Sequence, residues 1–172
     1  MQLIQRDSLL VLTSLVLAGP ASAQSAALPA WMTVDSASHT ISLQLRVESG
    51  GPDSSATING ARAGRVQVVV PRNWSVRWTW INADSSAAHS LVLMAEREKL
   101  PLQGGQPALD NAWTRAVVTG LKTGQRDLTS FVADQAGWYW LLCGVPGHAL
   151  SGEWIGLKVD RDATEPSVVE KM

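Results

Sequence analysis

One cysteine, three histidines, one tyrosine and one phenylalanine stand in 172 residues. A single thiol, Cys143, excludes an intramolecular disulfide. No Lys/Arg run or basic stripe occurs, and the formal net charge is −1. Nucleic-acid binding therefore has no electrostatic footprint, and the net charge gives no strong long-range steering of a charged partner. The apolar run Ser8–Ala18 is about half of the ~20 residues that a bilayer-spanning helix needs. Met-rich and His-rich tracts, which would advertise metal storage or delivery, are absent. Helical periodicity is scarce after this run, and that argues against an α-helical fold.

The first residues read as a signal peptide, residues 1–23. Arg6 lies in a short polar region, Ser8–Ala18 is the apolar segment, and Ala21-Ser22-Ala23 supplies small residues for cleavage. Export to the periplasm or the medium is expected, with membrane attachment only if the segment stays uncleaved as an anchor. Cleavage before Gln24 leaves 149 of the 172 residues, enough for one domain with a full core. The expected division is a lead-in at 24–38, one domain at 39–160 and a flexible tail at 161–172.

Alternation replaces helical periodicity. Ile41, Leu43, Leu45 and Val47 alternate with polar residues, and Trp74, Val76, Trp78 and Trp80 do the same. Val66–Val70 stops at Pro71, and His89–Met94 follows the Asn82–Ala88 loop. Further strands are expected at 114–118, 126–132, 138–142 and 154–159. Residues 95–113 form a long connection with room for a short helix. Turn signals such as Asn59-Gly60 and Gly104-Gly105 punctuate the segments. Seven or eight short strands of this kind predict an all-β fold, an antiparallel Greek-key β-sandwich. Most of the eight tryptophans belong in its core. The Trp74/Trp78/Trp80 face offers a rival reading as a binding platform of a Trp-rich sandwich module.

The chemistry concentrates in Gly137-Trp138-Tyr139-Trp140-Leu141-Leu142-Cys143-Gly144-Val145-Pro146-Gly147-His148. An alternating strand runs into Cys143, a Gly/Pro loop follows, and His148 comes five positions after the cysteine. His89 opens another expected strand, 54 positions upstream of Cys143. Copper cycling between Cu(I) and Cu(II) favours one thiolate and two imidazoles in a near-trigonal plane. Cys143, His148 and His89 match that demand. Each residue alone is a weak signal, and a lone buried cysteine is commonly an inert small hydrophobe. The joint pattern draws on the only cysteine and two of the three histidines. His39, in a polar stretch, is left aside.

The Gly137-x-Tyr139-x-x-x-Cys143 run resembles the ligand strand of the cupredoxins, the small blue copper proteins. The Cys143–His148 loop and the His89-Ser90 pair resemble the sulfocyanin branch. Asn59-Gly60 and Val70-Pro71 before Trp74 support the same likeness, which spans about residues 40–159. The resemblance implies one mononuclear type 1 copper and electron transfer between redox partners, without enzymatic turnover. It implies that Tyr139 is structural, its hydroxyl tied back to the backbone, and that Ser90 braces the Cys143 loop. Partners would dock near His148, among Val145, Pro146, Ala149 and Leu150.

Where the family usually carries an axial methionine, this sequence has Glu153. Three readings stand: the carboxylate binds copper, it turns to solvent, or the axial place is open to water or a small ligand such as nitric oxide. Thiol catalysis lacks a third residue to orient a Cys143–His148 pair. A structural zinc site would normally use four Cys/His ligands.

Overall fold

The computed structural model describes residues 27–50 and 55–171. The expected signal peptide lies outside the described residues. Among them there are ten strands and no helix, so none long and apolar enough to cross a membrane.

One sheet contains β1 (Met32–Asp35), β2 (Thr40–Glu48), β5 (Ser75–Asn82) and β7 (Arg126–Val132), with the short β3 (Thr57–Ile58) on β2. The other runs in the order β10 (Ser167–Glu170), β4 (Val66–Pro71), β9 (Trp154–Asp160), β8 (Gly137–Leu142) and β6 (Val92–Ala95). Alternation places the core between them. Ile41, Leu43, Leu45 and Val47 of β2 and Val76, Trp78 and Trp80 of β5 are buried, packed in one cluster with Val68, Leu141, Ile155 and Leu157 of the facing sheet.

The all-β sandwich expected from the sequence is present, but its pairing is mixed. β2 pairs β5 in parallel, and so does β4 with β9; the remaining strand pairs are antiparallel. The chain leaves β2, crosses to the other sheet as β4 and returns as β5, which brings β5 beside β2 in the same direction. Alternation fixes which face a side chain occupies and is silent on the direction of the neighbouring strand.

Four local expectations change. Residues 114–118 form no strand: the Thr114 hydroxyl takes the Leu91 amide (2.9 Å) and so occupies a ladder position with its side chain. Residues 95–113 contain no helix. The 161–172 tail is tied down in part, because β10 pairs β4 from Ser167↔Val69 to Glu170↔Val66; a four-residue strand is too short to announce itself by alternation. The tryptophan platform is overturned as well. Trp74, Trp78 and Trp80 are 6 %, 1 % and 0 % exposed, so that face is core and offers no binding surface.

A second apolar cluster decides the placement of the ligand strand. Trp140 and Leu142 on the outer face of β8 pack with Val92 and Ala149, under Leu100 and Val117. Tyr139 and Leu141 face the main core. Both faces of β8 are thus buried from Tyr139 to its end, and the residue that follows, Cys143, has no freedom to swing away.

Candidate metal centre

Cys143 follows β8 directly, is fully buried, and its amide donates to the carbonyl of Glu153 (3.1 Å), the residue just before β9. The intervening loop closes on itself: the Glu153 amide donates to the His148 carbonyl at 3.1 Å. Gly152 makes this reversal at φ +98°, a left-handed conformation that side chains disfavour. The Arg62 guanidinium sits over it and donates to the Ser151 carbonyl (2.7 Å). Gly144 serves a different need. A Cβ there would lie 2.5 Å from Val117 Cγ1, so glycine lets the 115–119 loop close over the cysteine.

His89 enters from the loop before β6, its backbone paired with Leu121 in both directions (3.1 and 2.7 Å). Ser90, the next residue, ties the two ligand-bearing segments together. Its hydroxyl donates to the Val117 carbonyl (2.6 Å) and accepts from the Gly144 amide (2.9 Å), while its amide points at the Cys143 sulfur (3.4 Å). The Tyr139 hydroxyl donates to the Gln135 carbonyl (2.7 Å) and fixes the turn ahead of β8.

These supports bring three expected ligands together. His89 Nδ1 and His148 Nδ1 are 3.2 Å apart, and the Cys143 sulfur is 3.9 and 3.6 Å from them. The circle through the three atoms has a radius of about 2.1 Å, which matches the ~2.0–2.3 Å that a metal such as zinc keeps to imidazole and thiolate. Glu153 is the fourth member. It is 2 % exposed, with its carboxylate 2.9 Å from His89 Nδ1 and 3.1 Å from His148 Nδ1. The reading in which it turns to solvent is therefore excluded. All four donor groups lie within 4.8 Å of one another, a geometry able to hold a metal ion. His39 takes no part; its ring packs on Trp74 (5.1 Å). Met94, half-buried on β6, packs against the Val92, Trp140 and Leu142 cluster.

The electrostatics of the cluster suit a cation. Burial pushes the Cys143 thiol up, and the adjacent Glu153 charge pushes it further, so a metal entering must displace its proton. Burial would also raise Glu153, but hydrogen bonds from His148 and His89 outweigh it and hold the carboxyl below its ordinary value. For His89 burial acts downward, and Glu153 and Asp84 together bring the net shift up.

Two features escaped the sequence. Asp84 accepts from His89 Nε2 at 3.0 Å; its only sequence signal is the Asn82-x-Asp84-x-Ser86 turn pattern just ahead of the ligand. Ala149, taken above as part of a surface around His148, is 0 % exposed and packs behind the loop. Leu150 at 56 % and Leu102 at 63 % are the exposed apolar residues there, Leu102 being held by the Gly147 amide on its carbonyl (2.7 Å).

Two facing β-sheets, with one thiolate and two imidazoles converging at the end of β8, define a cupredoxin-type centre. A sequence model of the sulfocyanin (SoxE) domain matches residues 29–170, and the chain belongs to the sulfocyanin family. It is 27 % identical over 144 residues to a sulfocyanin of Sulfolobus acidocaldarius, covering 78 % of this chain and 70 % of that one. Similar solved structures include rusticyanin from Thiobacillus ferrooxidans, with 22 % identity, 76 % of this chain and 86 % of that one, and a TM-score of 0.46. Auracyanin B gives 23 % identity, 69 % and 88 % coverage, and a TM-score of 0.48.

Proposed function

We propose that the protein is an exported one-electron carrier that holds one copper ion through His89, Cys143, His148 and Glu153. The observation that supports this reading is the convergence of these four donors within 4.8 Å, three of them on a circle of metal-bond radius. Copper supplies the one-electron couple. The chain supplies a rigid frame: with β8 buried on both faces from Tyr139 to Leu142 and Ser90 clamping the loop, the donors cannot rearrange greatly when the charge changes. Loading the apoprotein with Cu(II) should produce a strong visible thiolate-to-copper band, and a colourless loaded protein would overturn the reading.

The same geometry supports an exit route. Cys143 and His89 are 0 % and 2 % exposed, whereas the His148 side chain is 27 % exposed. Its ring edge is thus the part of the cluster that meets solvent, beside the apolar Leu150 and Leu102. A brief, weakly held encounter with a redox protein suits a small apolar patch of this sort. Leu150→Glu is expected to slow electron exchange with such a partner while leaving the visible spectrum unchanged. Unaltered exchange rates would place the docking surface elsewhere.

A second reading rests on one observation. An open cleft of about 630 Å³ is lined in part by His89, His148 and Glu153. A small ligand such as nitric oxide could approach the metal by that path. Adding it to the Cu(II)-loaded protein would then shift the visible band, and an unchanged spectrum at saturation rejects ligand binding.

A further inference from the structure

His89 is held at both ring nitrogens, and the second holder has no place in the sequence pattern. Nδ1 faces the ligand cluster, while Nε2 lies 3.0 Å from Asp84 Oδ2. Both side chains are almost sealed from water, at 2 % and 5 % exposure. Asp84 is itself fixed on three sides. Its amide donates to the Asn82 side chain (2.9 Å), its carbonyl accepts from the Thr123 hydroxyl (2.6 Å), and its Oδ1 accepts from the Ser86 amide (2.7 Å) and hydroxyl (2.6 Å). Asn82 in turn donates to the Leu121 carbonyl (2.8 Å), the same residue whose backbone pairs His89. The carboxylate is therefore aimed at the ring by the loop and did not settle there by chance.

His148 has no equivalent: among the described residues, no carboxylate meets its Nε2, and its ring is partly exposed. The two imidazoles of the centre are thus inequivalent.

We propose that Asp84 is a positioning residue that fixes His89 as the Nε2–H tautomer and biases the centre toward the oxidised ion. This rests on the copper reading above. A hydrogen bond from Nε2–H to a carboxylate leaves the Nδ1 lone pair free for the metal and makes it a stronger donor. The fixed negative charge, in a site with little water to screen it, favours Cu(II) over Cu(I). An amide at position 84 offers one acceptor oxygen where the carboxylate offers two. Asp84→Asn must give up either the Ser86 contacts or the His89 contact, and in both cases it loses the charge.

The test compares wild type and Asp84→Asn by Cu(II) and Cu(I) affinity, using competing chelators, and by reduction potential. Outer-shell partners of metal-bound histidines are worth about 10–100-fold in affinity. Cu(II) affinity is expected to fall about tenfold more than Cu(I) affinity, which raises the potential by about 59 mV for a one-electron couple. A coloured Asp84→Asn protein with an unchanged potential overturns the proposal and leaves the copper reading standing. A colourless wild type overturns both. The wild-type Cu(I) protein gives a second measurement that needs no variant: nitrogen-15 NMR should show a protonated, slowly exchanging His89 Nε2. A rapidly exchanging Nε2 proton there overturns the proposal whether or not Asp84→Asn folds.

Discussion

Cys143→Ser should leave a folded protein with no visible thiolate-to-copper band. The band needs sulfur orbitals on the metal: Cys143 is the chain's only cysteine, and among the described residues Met32 packs in the main core and Met94 against the Trp140 and Leu142 cluster. Serine is close in shape, and its hydroxyl can accept the Ser90 amide that now points at the sulfur from 3.4 Å. The cost to folding should stay near the ~1–3 kcal/mol of an imperfectly satisfied buried polar group. His89, His148 and Glu153 remain, so the variant can still bind Cu(II), more weakly and without colour. Absorption spectra, with near-ultraviolet circular dichroism from the buried tryptophans as the folding control, separate loss of the ligand from loss of the fold. A band that survives in folded Cys143→Ser would remove sulfur from the centre.

Glu153→Met should raise the reduction potential by on the order of 100–200 mV. One unit charge about 4 Å from the metal is worth about 4 kcal/mol at an effective dielectric near 20, and a one-electron couple moves about 59 mV per tenfold change. The carboxylate is buried against both ligand imidazoles, so solvent does little to screen it. As a hard, charged oxygen it favours Cu(II), whereas a thioether favours Cu(I). Glu153→Gln separates the two causes, since it removes the charge and adds no sulfur. A rise in both variants assigns the effect to charge, and a rise in Met alone assigns it to the thioether. If neither substitution raises the potential, Glu153 is not a ligand. The carboxylate also implies a colour different from that of a Met-ligated relative.

Much of this centre was legible because it is local. Cys143 and His148 lie within one strand and its following turn, and Gly144, Pro146 and Gly147 mark that turn in the sequence. Alternation at 41–47 and 74–80 also gave the inward faces, because side chains in a strand repeat every two residues. Asp84 was not legible. Its partner is five residues away around a closed loop, and only the Asn82 and Ser86 contacts show that the loop turns the carboxylate back onto His89. Ala149 misled for a related reason: a small apolar residue beside an exposed histidine reads as surface, until Trp140 and Leu142 are seen to need something to pack against.

By itself the sequence determined an all-β chain, its inward faces, and one thiol with two imidazoles as its only concentrated chemistry. These follow from period-two burial and from covalent spacing, neither of which needs knowledge of distant contacts. Only the tertiary structure decided which strands run parallel, that β10 closes the second sheet, and that Glu153 turns in toward both histidines. Each depends on segments far apart in the chain meeting at one place. Glu153 and His89 are separated by 64 residues, yet their side chains meet at 2.9 Å because β9 and the Leu121-paired loop end at the same rim of the sandwich.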